Sequence, residues 1–271
     1  MQQPYTISII VSTYNRPDAL QAVLLGCFAQ DDRHFEIIIA DDGSTHNTAQ
    51  CIERLRAQSP VPLQHVWQED LGFRLARVRN LGIQAARGSY LLFLDGDCVP
   101  QPDFVRQHRK LAQRGYMVTG SRILLSEALT ARAVAGQLDL NRLRLSEQLG
   151  LRLRGDLSKL VQLHARWPDL GRRRHRFSFR RIKGCNLGIW RDDLERINGF
   201  DESFQGWGYE DSDAVLRLFN AGVMRKDGAF ATEVMHLWHR ESPRDQTSSN
   251  YSRVLQRIGD KTVRAAQGLH A

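Results

Sequence analysis

Three short acidic motifs hold the residue types that bind metal ions and move protons. Asp95-Gly96-Asp97, Asp41-Asp42-Gly43-Ser44 and Glu210-Asp211 each follow a stretch rich in apolar or aromatic residues. Two carboxylates separated by one glycine can aim at a single point, and paired oxygen donors suit Mg²⁺ or Mn²⁺. A solvated turn explains Asp95-Gly96-Asp97 equally well, and a helix cap explains Asp42 or Ser44, because these residue types are common in turns and caps.

Other side chains near these motifs suit the recognition of a sugar and its phosphates. Asp211 lies at the predicted start of a helix, where a carboxylate beside aromatic groups can act as a general base. Trp207 stands between two glycines and can stack on a sugar face, with core packing as the alternative. Arg77 is one of three closely spaced arginines, a residue type suited to phosphate recognition. His236 and His239, three residues apart, are metal-ligand candidates or structural strand residues.

Alternating strand and helix patterns predict the scaffold that positions these motifs. Short apolar runs predict strands over residues 7–11, 35–40, 62–67, 90–94 and 230–237, and helical patterns cover 17–29, 45–56, 73–86, 102–114 and about 210–220. Repeated β–α units form a mainly parallel sheet, and ligands bind beyond the carboxyl ends of its strands. We therefore expect residues 12–15, 41–42 and 95–97 to meet in one crevice. Neither Gly-x-Gly-x-x-Gly nor a Walker A sequence occurs, which disfavours dinucleotide dehydrogenases and P-loop NTPases.

The overall composition is that of a globular protein. The chain has 271 residues, of which 42% are hydrophobic and 25% charged, with a formal net charge of +8. No apolar run approaches the roughly 18 residues that cross a bilayer, and no basic region precedes the first apolar stretch. The four cysteines form no CxxC pair, so we expect reduced thiols and a cytoplasmic protein.

Positive charge is concentrated in one part of the chain. Residues 132–183 contain fourteen Lys and Arg against four Asp and Glu, and leucines alternate with arginines over about 142–154. The pattern predicts one or two amphipathic helices followed by a basic loop at 172–176. Such a segment suits a polyanionic partner: nucleic acid, anionic lipid or a phosphorylated substrate. We expect no nucleic-acid partner, since no aromatic residue lies between 132 and 164 and no nucleic-acid fold motif occurs.

The motifs, taken together and in order, resemble the inverting glycosyltransferases of the GT-A fold. Residues 9–17, 39–44, 76–80 and 94–97 are similar to family 2, and residues 197–213 are closer to the β-1,4-galactosyltransferase and chondroitin-polymerase type of catalytic domain. This resemblance covers about 5–120 and 182–240. It implies an α/β fold with a mixed, mainly parallel sheet flanked by helices and a helical basic insertion. The implied division is 1–125 for the nucleotide-sugar-binding half, 126–181 for the insertion, 182–240 for the acceptor-binding and catalytic half, and 241–271 for the tail.

The resemblance also implies a role for each matching residue. Asp211 would be the general base, with Glu210 holding the acceptor and Trp207 closing over both substrates. The implied substrate-binding residues are Thr13, Asn15, Arg16, Asp41, Arg77, Asp95, Trp207 and Gly208, with Asp41 on the nucleobase and Arg77 on the nucleotide. The implied metal ligands are Asp97, His239 and His236. His236 stands where galactosyltransferases have a methionine, and Tyr209 replaces a glycine usual in the animal enzymes.

These implied roles predict a metal-dependent reaction. We expect inverting transfer of a hexose or N-acetylhexosamine from a UDP-sugar to a glycan of the cell-surface polysaccharide or lipopolysaccharide type, with Mn²⁺ or Mg²⁺. The alternatives are a metal-dependent nucleotidyltransferase and an inactive scaffold that binds a polyanion. For the basic segment, one hypothesis is peripheral contact with the anionic inner face of the cell membrane or with a phosphorylated, lipid-linked acceptor. The other is a solvated insertion that shapes the acceptor cleft.

Overall fold

A computed structural model describes residues 6–180, 182–240 and 247–270, with only the backbone of 247 and 248. Expectations for residues 241–246 and 271 lie outside the described residues. The strands are β1 (Ile7–Thr13), β2 (Phe35–Asp41), β3 (Leu63–Trp67), β4 (Tyr90–Asp95), β5 (Cys98–Pro100), β6 (Tyr116–Thr119), β7 (Ser121–Leu124), β8 (Arg173–Arg174), β9 (Asn186–Trp190), β10 (Met224–Asp227) and β11 (Glu233–His236). The helices are α1 (Pro17–Phe28), α2 (His46–Arg56), α3 (Leu75–Ala85), α4 (Phe104–Leu111), α5 (Glu127–Val134), α6 (Leu145–Leu153), α7 (Val161–His164), α8 (Arg191–Arg196), α9 (Glu210–Asn220) and α10 (Thr247–Asp260), with a 3₁₀ turn at Leu140–Arg142.

Eight of these strands form one mixed sheet in the order β3-β2-β1-β4-β9-β6-β10-β8. The pairs β3–β2, β2–β1, β1–β4 and β6–β10 are parallel, whereas β9 runs antiparallel to both of its neighbours and β8 antiparallel to β10. The fold-class prediction of a mixed, mainly parallel sheet flanked by helices is therefore confirmed.

The central strands are buried on both faces. Every residue of β1 and β2 is buried, which explains why their sequences read as continuous apolar runs without alternation. Side chains of successive residues point to opposite faces, so Ile9 packs in the core beneath α1 and α2 while Ile10 packs in the core beneath α3 and α9. Because the central strands pack against a core on each face, the positions of the polar residues at their carboxyl ends are fixed.

A second, three-stranded sheet has the order β5-β11-β7. β11 pairs antiparallel to β5, with His236 opposite Cys98, and parallel to β7. The strand predicted over 230–237 is shorter, because a turn precedes it: the Thr232 amide donates to the Gly228 carbonyl at 2.9 Å. This small sheet brings the end of β11 beside the turn that follows β4.

The basic segment folds into several short elements, one of which lies at an edge of the main sheet. It contains α5, the 3₁₀ turn, α6 and α7, and the expected basic loop at 172–176 includes β8, which extends the main sheet through β10. α6 buries Gln148 and Leu151 and leaves Leu145, Leu149 and Leu153 exposed. Among the helices that the structure describes, none has the length and apolar character needed to cross a membrane.

Candidate active site

The carboxyl ends of β1, β2 and β4 lie side by side. The register pairs Thr13 with Asp41 and Ser12 with Asp95, so the three predicted polar clusters meet at one edge of the sheet as expected. The Gly96 amide donates to the Ser12 carbonyl at 2.7 Å, and a Cβ at Gly96 would lie 2.7 Å from the same oxygen. Only glycine lets the turn after β4 pass this close to β1.

A buried arginine joins this edge to the start of α9. Arg79 lies on α3 and is 1% exposed; its Nη2 donates to Asp95 Oδ1 and its Nη1 to Glu210 Oε1, both at 3.1 Å. Asp95 and Glu210 are 115 positions apart in the chain and share one guanidinium. The structure therefore brings the Asp95-Gly96-Asp97 turn and the Glu210-Asp211 motif together. The sequence reading singled out Arg77 instead, although Arg79 shares the apolar face of α3 with Ala76.

Burial dominates the electrostatics of this cluster. Burial and, after it, the charge on Asp211 raise the pKa of Glu210 to about 7, against the attraction of Arg79. Burial also raises the pKa of Asp95, against the attraction of Arg79. For Arg79, burial lowers the pKa, but the surrounding carboxylates more than offset this and the net direction is upward. The guanidinium thus stays charged, and Glu210 titrates near neutral pH.

Asp211, the second residue of α9, is held by backbone amides. Its Oδ2 accepts from the Gly184 amide at 2.7 Å, and its Oδ1 accepts from the Ser212 amide at 2.6 Å. A Cβ at Gly184 would lie 3.1 Å from Asp211 Cβ and 3.2 Å from Oδ2, so the loop before β9 fits closely against the carboxylate. Gly184 was missed in the sequence, where nothing marks a backbone donor. The partly buried carboxylate is oriented and can accept a proton from a bound hydroxyl.

Asp97 and the two histidines form a group of potential metal ligands. His239 Nε2 lies 3.2 Å from Asp97 Oδ2, and His236 Nε2 lies 3.8 Å from Asp97 Oδ1. The Leu237 amide donates to the Asp97 carbonyl at 2.8 Å, which ties the end of β11 to the turn after β4. The Cys98 thiol, not named from the sequence, donates to Asp97 Oδ1 at 3.3 Å, and the potential ligand atoms of Asp97, Cys98 and His236 lie within 4.8 Å of one another.

This donor set fits a divalent cation. Two imidazole nitrogens and one carboxylate suit Mn²⁺ better than Mg²⁺, which takes oxygen ligands almost exclusively. Burial lowers the pKa of His236 against the attraction of Asp97, which favours the neutral ring that a metal ion requires. Both histidines face the same carboxylate, and His236 also belongs to one group of donor atoms with Asp97 and Cys98.

The residues predicted on the nucleotide side lie at the ends of β1 and β2. Asp41 Oδ1 accepts from the Ser44 amide at 2.8 Å and Oδ2 lies 3.1 Å from His65 Nε2, leaving the side chain 1% exposed. Asn15 joins the two loops, because its amide donates to Ser44 Oγ and its Oδ1 accepts from the Thr45 amide, both at 2.8 Å. The sequence offers Ser44 as a helix cap, but Thr45 is the N-cap residue of α2 and no side-chain cap bond is made there.

Three further predicted residues surround this region with different exposure. The Thr13 hydroxyl is buried and has no hydrogen-bond partner among the described residues, so a bound ligand could satisfy it. Arg16 immediately precedes α1 and pairs with Asp18 at 3.0 Å. Arg77 is half exposed and lies 3.6 Å from Glu202, away from the acids that Arg79 binds.

Trp207 lies in a loop with unusual backbone geometry. Gly206, Gly208 and Tyr209 have φ of 72°, 106° and 72°, the left-handed region that favours glycine. The Gly208 carbonyl accepts from the Asn250 side chain at 3.0 Å, and Tyr209 packs on Tyr251 at 5.2 Å between ring centroids. The indole is 38% exposed, next to the start of α9.

The sequence matches two families of sugar-transferring enzymes and several of their members. Residues 8–169 match the model of glycosyl transferase family 2, and residues 170–240 match a model described as the N-terminal domain of galactosyltransferase. The chain is 28% identical over 263 residues to a chondroitin synthase of Escherichia coli, covering 88% of this chain and 35% of that protein. It is 29% identical over 260 residues to a validoxylamine A glucosyltransferase of Streptomyces hygroscopicus subsp. limoneus, covering 92% and 54%. The chain thus spans about a third to a half of these relatives.

Solved structures share the fold. The mannosyltransferase PcManGT from Pyrobaculum calidifontis, in complex with GDP-Man and Mn²⁺, superposes with a TM-score of 0.61 at 18% identity, over 98% of this chain and 66% of that one. S. aureus TarS 1–349 in complex with UDP gives 0.61 at 15% identity, over 97% and 67%. Since the family 2 match covers more than half of the chain, the protein belongs to glycosyl transferase family 2, and it has the GT-A fold.

Proposed function

We propose that the protein transfers a hexose or N-acetylhexosamine from a UDP-sugar to a carbohydrate hydroxyl, with inversion and with a divalent cation. One observation carries this proposal: Arg79 binds both Asp95 and Glu210 at 3.1 Å. This contact supports one shared site for the turn that bears the proposed metal ligand Asp97 and the helix that bears the proposed general base Asp211. Family membership favours glycosyl transfer over nucleotidyl transfer or an inactive scaffold.

The donor would bind across the ends of β1, β2 and β4. The two solved relatives hold GDP-Man and UDP, which supports a nucleotide-sugar donor. We choose UDP because residues 170–240 match a galactosyltransferase model. The proposed nucleotide contacts are Thr13, Asn15, Arg16, Asp41, Arg77 and Asp95. Asp41 can still accept from a base N–H, since a carboxylate has about four acceptor positions and the described residues use two of them.

Asp211 would act as the general base of a single displacement. It takes the proton from the acceptor hydroxyl as that oxygen attacks the anomeric carbon. The bond from this carbon to the UDP oxygen breaks on the opposite face, which inverts the configuration. The Gly184 and Ser212 amides keep the carboxylate oriented throughout, and positioning of this kind supplies much of the acceleration in such enzymes.

Asp97, His236 and His239 would hold the cation. When bound, a divalent ion supplies positive charge that stabilises the diphosphate of the departing nucleotide. Glu210, Trp207 and Gly208 lie beside the base and are the proposed acceptor contacts. Trp207 is large enough to cover a sugar ring and exclude water from the reaction.

The acceptor is proposed to be a glycan of the cell-surface polysaccharide or lipopolysaccharide type. Relatives named chondroitin synthase support a saccharide acceptor. The exposed face of α6 supports peripheral contact with the anionic inner face of a membrane. Leu145, Leu149 and Leu153 recur every four residues at 59%, 48% and 79% exposure, with Arg152 beside them. Equal co-sedimentation with phosphatidylglycerol and phosphatidylcholine vesicles would contradict that contact.

Asp211→Asn tests the reaction, because asparagine keeps the shape of aspartate but cannot take the proton. We expect UDP to bind as before with Mn²⁺ present, and transfer to fall by a factor of about 10² to 10⁴. Asp192→Asn is the matched control, since Asp192 is the second residue of α8 and is exposed. Turnover of D211N at the wild-type rate, or release of pyrophosphate instead of UDP, would refute the mechanism.

A further inference from the structure

A basic cleft of about 410 Å³ lies at the β8 edge of the main sheet. Its lining includes five arginines and one acid: Arg173, Arg174, Arg176, Arg180, Arg225 and Asp227. None of these residues belongs to the proposed donor, base or metal site. The five arginines repel one another, because like charges lie close together in one concavity.

Two well-buried arginines hold the walls of this cleft in place. Arg172 is 4% exposed, and its guanidinium donates to the carbonyls of Asp227 and Ala229 at 2.6 Å and of Pro168 at 2.9 Å. Arg225 donates to the carbonyls of Ser178 at 3.1 Å and Arg180 at 3.0 Å. These bonds fix β8 on one side and residues 178–180 on the other. The cleft is therefore a built feature rather than a gap between mobile side chains.

The residues that line the cleft carry more positive than negative charge. Asp227 is the acid among the lining residues, and it already lies 3.4 Å from Arg174. Arg176 and Arg180 are exposed and form no ion pair with a carboxylate in the part of the chain that the structure describes. An anion placed between them would relieve their repulsion and could accept paired hydrogen bonds from their planar guanidinium groups.

The cleft and the proposed general base are joined by a short stretch of chain. Gly184, whose amide binds Asp211, follows Arg180 by four residues, so their Cα atoms are at most about 14 Å apart. Along the sheet, β8 is four strands from β4, or roughly 19 Å. One oligosaccharide of a few sugar units could therefore occupy both places.

We propose that this cleft binds the phosphate or carboxylate groups of an anionic glycan acceptor, a few sugar units away from the hydroxyl that receives the new sugar. The inference rests on the proposed sugar transfer and names the class of its acceptor. Arginine binds phosphate and carboxylate in the same way: two N–H groups of its guanidinium donate to two oxygens of the anion.

The test measures binding directly, without catalysis. Arg176→Gln/Arg180→Gln removes two charges from the cleft, and Arg87→Gln/Arg196→Gln removes two exposed charges elsewhere. The probes are trigalacturonic acid for carboxylate, phosphorylated oligomannose for phosphate and mannotriose as the neutral sugar. We expect the cleft variant to bind the anionic probes about tenfold or more weakly, with mannotriose unaffected and the control variant unchanged. The anionic probe that binds the wild type more tightly shows whether the cleft prefers carboxylate or phosphate. Added salt should weaken the binding of both anionic probes.

Three results would overturn the proposal. The first is equal binding of charged and neutral sugars by the wild type. The second is an equal loss of affinity for the anionic probes in the cleft variant and the control variant. The third is a wild type that binds none of the oligosaccharides but binds phosphatidylglycerol vesicles, with the vesicle binding lost in the cleft variant. Unchanged thermal unfolding midpoints verify that both variants fold. Hydrolysis of UDP-sugars by the same preparations tests the proposed function separately, since these arginines lie outside the donor site. A failed hydrolysis assay with intact anion binding would refute the reaction and not the cleft.

Discussion

Arg79 places one guanidinium between carboxylates that come from distant parts of the chain. It is 1% exposed, whereas its partners Glu210 and Asp95 are 10% and 34% exposed. Buried ion pairs contribute little net stability when intact, but removing one partner leaves the other charge buried and unpaired. The arginine thus acts on the site through its neighbours, as a positioning residue.

Arg79→Met should lower the free energy of unfolding by roughly 3 kcal/mol at pH 7, since two carboxylates lose their partner and Asp95 keeps some solvent. Urea denaturation measures the change. Arg87→Met, at an exposed position, is the control and should shift the unfolding midpoint very little. A loss in R79M no larger than in the control would show that the carboxylates do not depend on Arg79.

Glu210→Gln should change how stability depends on pH. The pKa of Glu210 is about 7 in the folded protein against an ordinary value of 4.5. Between these values the unfolded chain has lost this proton while the folded chain keeps it, so stability falls as pH rises from about 4.5 to 7. Glutamine cannot titrate, and the variant should therefore show a shallower fall in metal-free buffer.

Urea denaturation at several pH values measures this slope, with the exposed Glu53→Gln as control. Part of the slope should persist in E210Q, because burial also raises the pKa of Glu233 to about 7. A pH profile identical to that of the wild type would mean that Glu210 ionises normally in the folded protein.

At the scale of elements, the loop before β9 orients Asp211, the proposed general base on α9. Gly184 donates its amide to Asp211, and a side chain there would also lie 3.0 Å from Arg79 Nη2. These contacts are tight for a methyl group, so the neighbouring groups, the carboxylate among them, would have to shift by a few tenths of an ångström. Misplacing a reactive group by about 1 Å can reduce a rate by about a hundredfold.

Gly184→Ala should therefore lower kcat by about tenfold to a hundredfold while the KM for the donor changes little. Steady-state kinetics with varied UDP-sugar separates the two effects. Gly259→Ala on α10 is a matched control, since a Cβ there meets nothing within 4 Å. A rise in donor KM with normal kcat would place Gly184 in nucleotide binding instead of base positioning.

On the scale of the whole molecule, two sequence regions build one sheet. Strands β9 and β10 belong to residues 170–240, yet β9 lies between β4 and β6, and β10 lies next to β6. β4 is buried along nearly its whole length and pairs with β9 over Tyr90–Leu94. Neither region can cover its own apolar edge strands without the other.

A fragment of residues 1–169 should consequently fail to fold on its own. We expect it to aggregate or to lack a cooperative thermal transition, because removing β9 exposes the edge of β4. Co-expression with residues 170–271 should restore a soluble complex that binds UDP. Circular dichroism and thermal unfolding check this prediction, and a cooperatively unfolding 1–169 fragment would refute it.

Much of the structure of the first 125 residues can be predicted from local sequence pattern. The strands over 7–11, 35–40 and 90–94 correspond to β1, β2 and β4, because apolar runs of this length must be buried and β-branched residues favour strands. Helix boundaries were less accurate. α3 begins at Leu75 rather than 73, because the Arg74 amide is held at 2.9 Å by the Asp42 carboxylate.

The sequence by itself determined which residue types could do chemistry and at which strand ends they stand, since parallel strands always present their carboxyl ends at one edge. Tertiary structure alone decided that Arg79 rather than Arg77 faces the acids, that the Gly184 amide orients Asp211, and that β5 and β11 bring His236 to Asp97. The reason is physical. Periodicity records whether a side chain is buried, whereas the choice of partner over more than a hundred residues depends on strand register and helix rotation, which only the packed chain sets.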